Sequence, residues 1–215
     1  MLIRVDELAA RGRYELLTSL VVPRPIGWIS TYGADGTPNL APYSFFAALS
    51  ARPMLVGASI GHRRTGPKDT LVNARARGAF CVNVVDESHL EAMNETSLDA
   101  PPGTDEFALA GLAAARAETV DAPFVASAPA VLECILHREV DIGAEANTLV
   151  VGRVVAVRLA PSLEFVDGTR CVRTETLRPI GRLWGAAYEL PGKVRMISRP
   201  RMEDRAPFDS GSDGT

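Results

Sequence analysis

The stretch Pro23-Arg24-Pro25-Ile26-Gly27-Trp28-Ile29-Ser30-Thr31, continued by Asn39-Leu40-Ala41-Pro42-Tyr43-Ser44-Phe45-Phe46 and Lys68-Asp69-Thr70-Leu71-Val72-Asn73, decides the fold. Pro23 and Pro25 fix φ and bias their neighbours toward extended backbone, so no helix runs through them. Residues 27–32 alternate and are rich in β-formers, as a strand requires. Gly33-Ala34-Asp35-Gly36 is a hairpin turn, and residues 37–43 return as a strand that Pro38 and Pro42 confine to a sheet edge. A buried strand follows at 53–60. The loop Gly61-His62-Arg63-Arg64-Thr65-Gly66-Pro67-Lys68 then enters a helix with Asp69 as N-cap, Thr70 in its first turn and Gly78 as its stop.

The remainder of the chain is also strand-rich. Residues 79–85 read as a buried strand holding Cys81 as a core thiol. Asp86 caps a second helix that runs to about Asn94, with His89 solvated on it. A loop spans 96–103, a short helix spans 105–110, and residues 112–129 read as irregular. Residues 130–141 and 148–159 form two strong strands around a turn at 143–147, with Glu133, Arg138 and Glu139 facing outward. That makes six strands. Asp167-Gly168 marks a further turn. A helix is expected after Thr174, broken by Pro179 and Gly181. The organisation is one domain over 1–200 and a polar, disordered tail over 201–215.

Composition narrows the function. The chain has 215 residues, 47% hydrophobic and 23% charged, with a net charge of -3. It has neither the basic field of a nucleic-acid binder nor an apolar run long enough to span a membrane. Its first residues, Met1-Leu2-Ile3-Arg4-Val5-Asp6-Glu7, do not read as a secretory signal. Three widely spaced cysteines without a CxxC suit free thiols in a cytoplasmic setting. There is no dinucleotide fingerprint, nucleophile elbow or Walker loop, and His62, His89 and His137 lack metal-ligand spacing. Such a chain fits a protein whose cofactor carries the chemistry.

One local feature is positive. A strand feeding a basic loop and a helix N-terminus suits a phosphate, because the first helical N–H groups are unpaired and the helix dipole favours an anion. Arg63, Arg64 and Lys68 add charge and donors. Apart from Lys68 and Lys193, every basic residue in the chain is arginine.

The order and spacing of these words resemble the flavin reductase-like, FMN-binding split-barrel family. Asp105-Glu106-Phe107 with Gly111, Leu132-Glu133-Cys134, Gly152-Arg153-Val154, and Gly181-Arg182-Leu183 with Tyr188 extend the resemblance over about residues 14–190. It implies a mainly β fold with peripheral helices, a six-stranded antiparallel Greek-key split β-barrel, and a homodimer. It also implies FMN, with FAD as the alternative flavin, and NADH or NADPH as electron donor. By resemblance, Arg63, Lys68 and Thr70, with Ser59, Gly61 and Asp69 nearby, hold the phosphate. Thr31, Ser44 and Phe45, with Ser30 and Tyr43 adjoining, meet the polar ring edge. Ile29, Ile60, Trp184 and Tyr188 supply apolar surface. No side chain is assigned acid–base catalysis and no metal is expected. Trp184 stands where the family usually has glycine. The implied activity is NAD(P)H-dependent flavin reduction serving free flavin or a partner monooxygenase. The alternative is an FMN-binding electron-transfer protein with little NAD(P)H activity.

Overall fold

The computed structural model describes residues 1–63, 66–142, 147–197 and 199–201. The expectations for Arg64, for most of the 143–147 turn and for nearly all of the C-terminal tail lie outside the described residues. Helix α1 (Ala10–Leu20) precedes β1 (Arg24–Pro25), β2 (Gly27–Tyr32), β3 (Pro38–Tyr43), β4 (Phe46–Ala51) and β5 (Met54–Gly61). Then come α2 (Asp69–Arg77), β6 (Ala79–Val84), α3 (Leu90–Glu95), α4 (Glu106–Leu109), β7 (Ala114–Arg116) and β8 (Pro123–Val125). The chain closes with β9 (Ala130–Ile142), β10 (Asn147–Leu159), α5 (Thr174–Leu177), β11 (Gly181–Arg182) and β12 (Tyr188–Glu189).

The main sheet is antiparallel and has seven strands in the order β3-β2-β6-β9-β10-β5-β4. Six were expected from the sequence. The seventh is β4, whose Phe46-Ala47-Ala48-Leu49-Ser50-Ala51 contains no β-branched residue and so lacks local strand propensity. Its ladder to β5, from Phe46↔Ala58 to Ala51↔Met54, holds it extended. The two sheet edges, β3 and β4, are joined by Ser44 and Phe45 alone, so the sheet curls on itself. Gly27 permits this closure: a Cβ there would stand 2.6 Å from the Phe46 ring.

Ile29, Tyr43, Val56, Ile60, Phe80, Val82 and Val150 fill the interior, and α2 closes it with Leu71 and Ala74. Burying each of the large side chains contributes about 1.5–3 kcal/mol. A second apolar layer packs Trp28, Leu40, Met93, Phe107 and Val125 on the other face of β2 and β3. Trp28 is fully enclosed, and its indole donates to Thr96 at 2.8 Å. Residues 112–129, expected to be irregular, instead contain the β7–β8 hairpin. The helix expected after Thr174 is confined to α5, and β11 and β12 follow it.

Candidate functional site

Helix α2 begins at Asp69 and ends at Gly78, but its N-cap is Lys68, which makes no side-chain cap bond. Asp69 is therefore not the cap. Its carboxylate accepts from Arg63 Nη1 at 3.1 Å and Nη2 at 3.4 Å, and from the Gly103 amide at 3.1 Å. Asp69 thus ties the basic loop to the 96–104 loop across the mouth of a cleft of about 390 Å³. Tyr43, His62, Arg63, Lys68, Asp69 and Thr70 line it, together with Ser97, Asp99 and Glu106.

The donors here suit an oxyanion. Among the described residues, Lys68 forms no ion pair; its ammonium lies 5.7 Å from the Tyr43 ring centre. Arg63 Nε is buried and has no hydrogen-bond partner among the described residues, with Asp99 Oδ1 3.9 Å away. The first amides of α2 add unpaired N–H groups at the positive end of a nine-residue helix. The carboxylates of Asp69, Asp99 and Glu106 face the same space, which limits how much negative charge the cleft accepts.

Behind the cradle runs a buried polar chain. Tyr43 donates to Thr70 at 3.0 Å, Thr70 donates to Asn39 Oδ1 at 3.0 Å, and Asn39 Nδ2 donates to Glu106 at 2.8 Å. Burial pushes the Tyr43 phenol up to about 12, partly offset by its bond to Thr70. Burial likewise raises the Glu106 carboxyl, against the donors Leu40 N–H and Asn39. A second hollow of about 190 Å³, which shares Pro42 and Ser97 with the cleft's lining, is bordered by Ser44, Asn94, Arg182 and Tyr188. Arg182 lies over the Tyr188 ring at 4.4 Å. Ser44 also borders an apolar hollow of about 320 Å³ lined by Leu17, Val21, Phe45, Phe46 and Leu49.

Arg63, Lys68, Asp69, Thr70 and Tyr43 thus come together in the cleft, and Ser44 and Tyr188 in the adjoining hollow. Phe45 stands in the apolar hollow, and its carbonyl accepts from Ser59 N–H at 2.8 Å. Ser59 Oγ is buried without a hydrogen-bond partner among the described residues, and Gly61 ends β5 with Asn147 Oδ1 3.1 Å from where its Cβ would be. The structure does not bring the side chains of Ile29, Ser30, Thr31 and Ile60 to the cleft or the adjoining hollow. All four are at most 1% exposed. Ser30 donates to the Pro123 carbonyl at 2.6 Å, and Thr31 donates to Asn39 at 3.2 Å while accepting from Asn73 at 3.1 Å. Trp184 is 56% exposed, in a separate hollow along α1.

Two other expectations change, for His89 and Glu133. Arg24 is buried and donates to the Thr18, Val21 and Leu183 carbonyls, anchoring α1 to the barrel. His89 is also buried, held by Asp86 at 2.6 Å and Ser127 at 2.8 Å. His62 is partly buried, with Nε2 3.1 Å from Thr148 Oγ1. Glu133 does not face outward: it is enclosed and accepts from the Thr119 amide and hydroxyl. Cys81 is a core thiol as expected, and burial raises its pKa far above the ordinary thiol range. Asn39 and Glu106 are among the cleft residues to which the sequence alone assigns no ligand role. Among the described residues no cluster of potential metal ligands occurs, and no helix is long and apolar enough to cross a membrane.

The model of the flavin reductase like domain matches residues 19–172. Nitrilotriacetate monooxygenase component B from Bacillus cereus is 34% identical; the match covers 92% of this chain and 98% of that one, with a TM-score of 0.87. The Pseudomonas fluorescens 2-nitrobenzoate 2-nitroreductase NbaA is 30% identical over 94% of this chain and 98% of its own, with a TM-score of 0.84. A split-barrel protein of Shewanella frigidimarina, 23% identical, shares the fold over 91% of this chain and 96% of its own at a TM-score of 0.79. The chain belongs to the flavin reductase-like, split-barrel family.

Proposed function

We propose that the protein is an FMN-dependent oxidoreductase that oxidises NADH or NADPH and delivers the electrons to free flavin or to a partner oxygenase. The observation that carries the reading is the pairing of two adjoining hollows: an anion cradle at Arg63, Lys68 and the start of α2, and beside it a polar and aromatic hollow at Ser44, Arg182 and Tyr188. FMN, when bound, supplies the hydride and electron transfer for which this chain has no dedicated side-chain constellation.

Lys68, Arg63 Nε and the first amides of α2 would hold the phosphate. Ser44 would donate to the polar ring edge, and the Tyr188 ring, backed by Arg182, would offer a flat face. FMN is the flavin of this reading, with FAD as the alternative. The domain reading over 1–200, a cytoplasmic location and a homodimer belong to the same proposal. The apolar hollow, flanked by exposed Leu17, Val21 and Leu49, suits a second copy of the chain. The likeness to a monooxygenase component B supports an oxygenase as acceptor.

The test is the visible spectrum of the purified, FMN-loaded protein without oxygen, followed on addition of NADH or NADPH. Rapid bleaching by one nucleotide is expected. A flavin that only dithionite reduces would instead assign the protein to electron transfer. A protein that takes up no FMN would refute the proposal.

A further inference from the structure

Glu106 is 4% exposed and belongs to the wall of the cleft. Its Oε2 accepts two hydrogen bonds, from Asn39 Nδ2 at 2.8 Å and from the Leu40 amide at 2.9 Å. Its Oε1 accepts no hydrogen bond from another residue among the described residues, and Glu106 is part of the cleft lining. Burial raises its pKa, and the two N–H donors on Oε2 oppose that rise by favouring the ionised, acceptor-only form.

That acceptor sets the direction of every proton behind the cradle. Asn39 must turn its NH₂ toward Glu106, which leaves Oδ1 for the hydroxyls of Thr31 and Thr70. Thr70 has one proton and donates it to Asn39. Tyr43 has one proton and donates it to Thr70. Tyr43 and Thr70, both lining the cleft, keep only lone pairs for a ligand. The cleft thus offers donors on Lys68, Arg63 and the α2 amides and acceptors on Glu106, Tyr43 and Thr70. The matching ligand is an anion carrying a row of hydroxyl groups.

We infer that Glu106 is the specificity-determining residue of the site, accepting a hydrogen bond from a hydroxyl of a phosphorylated polyol chain and fixing Tyr43 and Thr70 as acceptors for the others. This inference rests on the FMN reading, in which the ribityl chain is that polyol. It also removes the Thr70 hydroxyl as a donor to the phosphate: Thr70 serves that end through its backbone amide.

The test is equilibrium binding of three oxidised flavins to wild type and to E106Q, read by flavin fluorescence without any electron donor. The probes are FMN, riboflavin, and lumiflavin, which has a methyl group in place of the polyol chain. Glutamine keeps a carbonyl for Asn39 and Leu40 but puts an NH₂ in place of the other oxygen, so an acceptor becomes a donor. Riboflavin binding should weaken on the order of tenfold or more, the scale of a lost hydrogen bond to a charged group. FMN should weaken less, because the same change removes a negative charge near its phosphate. Lumiflavin should be unchanged.

Y43F provides a second variant, since it removes one acceptor and keeps the packed ring. It should weaken riboflavin severalfold and spare lumiflavin, and it carries the test if E106Q does not fold. Riboflavin bound equally by wild type and both variants overturns the inference and leaves the FMN reading standing, as does an equal loss for riboflavin and lumiflavin. A wild type that binds none of the three flavins overturns both.

Discussion

Replacing Lys68 by alanine isolates the anion cradle from the rest of the site. Lys68 precedes α2, makes no side-chain cap bond, and forms no ion pair among the described residues. Its visible structural role is the approach to the Tyr43 ring at 5.7 Å, an interaction worth about 0.5–1 kcal/mol at most exposed sites. The variant should therefore unfold at nearly the wild-type denaturant concentration. Binding should suffer much more. A charge-assisted hydrogen bond to phosphate contributes about 1.5–3 kcal/mol, so FMN should bind roughly ten- to hundredfold more weakly. Riboflavin shares the ring and polyol but has no phosphate, so its affinity should not change. Titration of both flavins into wild type and K68A, at low and high salt, separates the effects. The FMN loss should shrink at high salt because screening weakens the partly exposed pair. Equal losses for FMN and riboflavin would refute the reasoning, since Lys68 would then be acting on the fold or the ring and not on the phosphate.

Two further predictions concern the barrel. Gly152 on β10 faces Phe80, whose Cζ would stand 2.3 Å from an added Cβ, with Cys134 Cβ at 3.1 Å. Gly152→Ala should destabilise by about 1–3 kcal/mol through overpacking, measured by urea unfolding; wild-type stability would show that the Phe80 ring yields freely. Glu133 is enclosed, and burial opposes its ionisation. The Thr119 hydroxyl and amide, the Glu118 amide and Arg158 outweigh burial and hold its pKa below the ordinary range. A depressed folded-state pKa adds stability that is present above the unfolded pKa and disappears as pH falls through the folded one. Glu133→Gln should thus cost about 1–2 kcal/mol at pH 7, from the weakened bonds to Thr119. The gap to wild type should close on acidification below about pH 4.5. A gap that stays constant from pH 7 to pH 3 would show that the charge of Glu133 does not contribute.

The cradle was legible because it is local. A strand, a basic loop and a helix start lie within residues 53–77, and no long-range packing is needed to place Arg63 and Lys68 together. Six strands were legible for a similar reason, from their β-branched content and turn signals. β4 was not, because only its partner β5 makes Ala47, Ala48 and Ala51 extended. Asp69 reads as an ordinary N-cap in sequence. The bond from Arg63 that diverts its carboxylate depends on how the loop folds back, which six residues of spacing do not reveal.

The harder errors share one cause. A polar residue on a strand normally reads as outward-facing or ligand-facing, since period-two alternation assigns one side to water. Strand β2 is covered on both sides, by the barrel interior on one and by the layer of α3, α4 and β8 on the other. Ser30 and Thr31 therefore face protein. Each must find partners there because an unmade buried hydrogen bond costs about 1–3 kcal/mol. Ser30 finds Pro123 and Asn83, and Thr31 finds Asn39 and Asn73. Glu133 is enclosed in the same way by the segment holding Thr119. These buried polar residues remain tied to the site through Asn39. Thr31 and Thr70 share its carbonyl, and its amide is fixed by Glu106, so packing inside the barrel determines which groups the cleft offers a ligand.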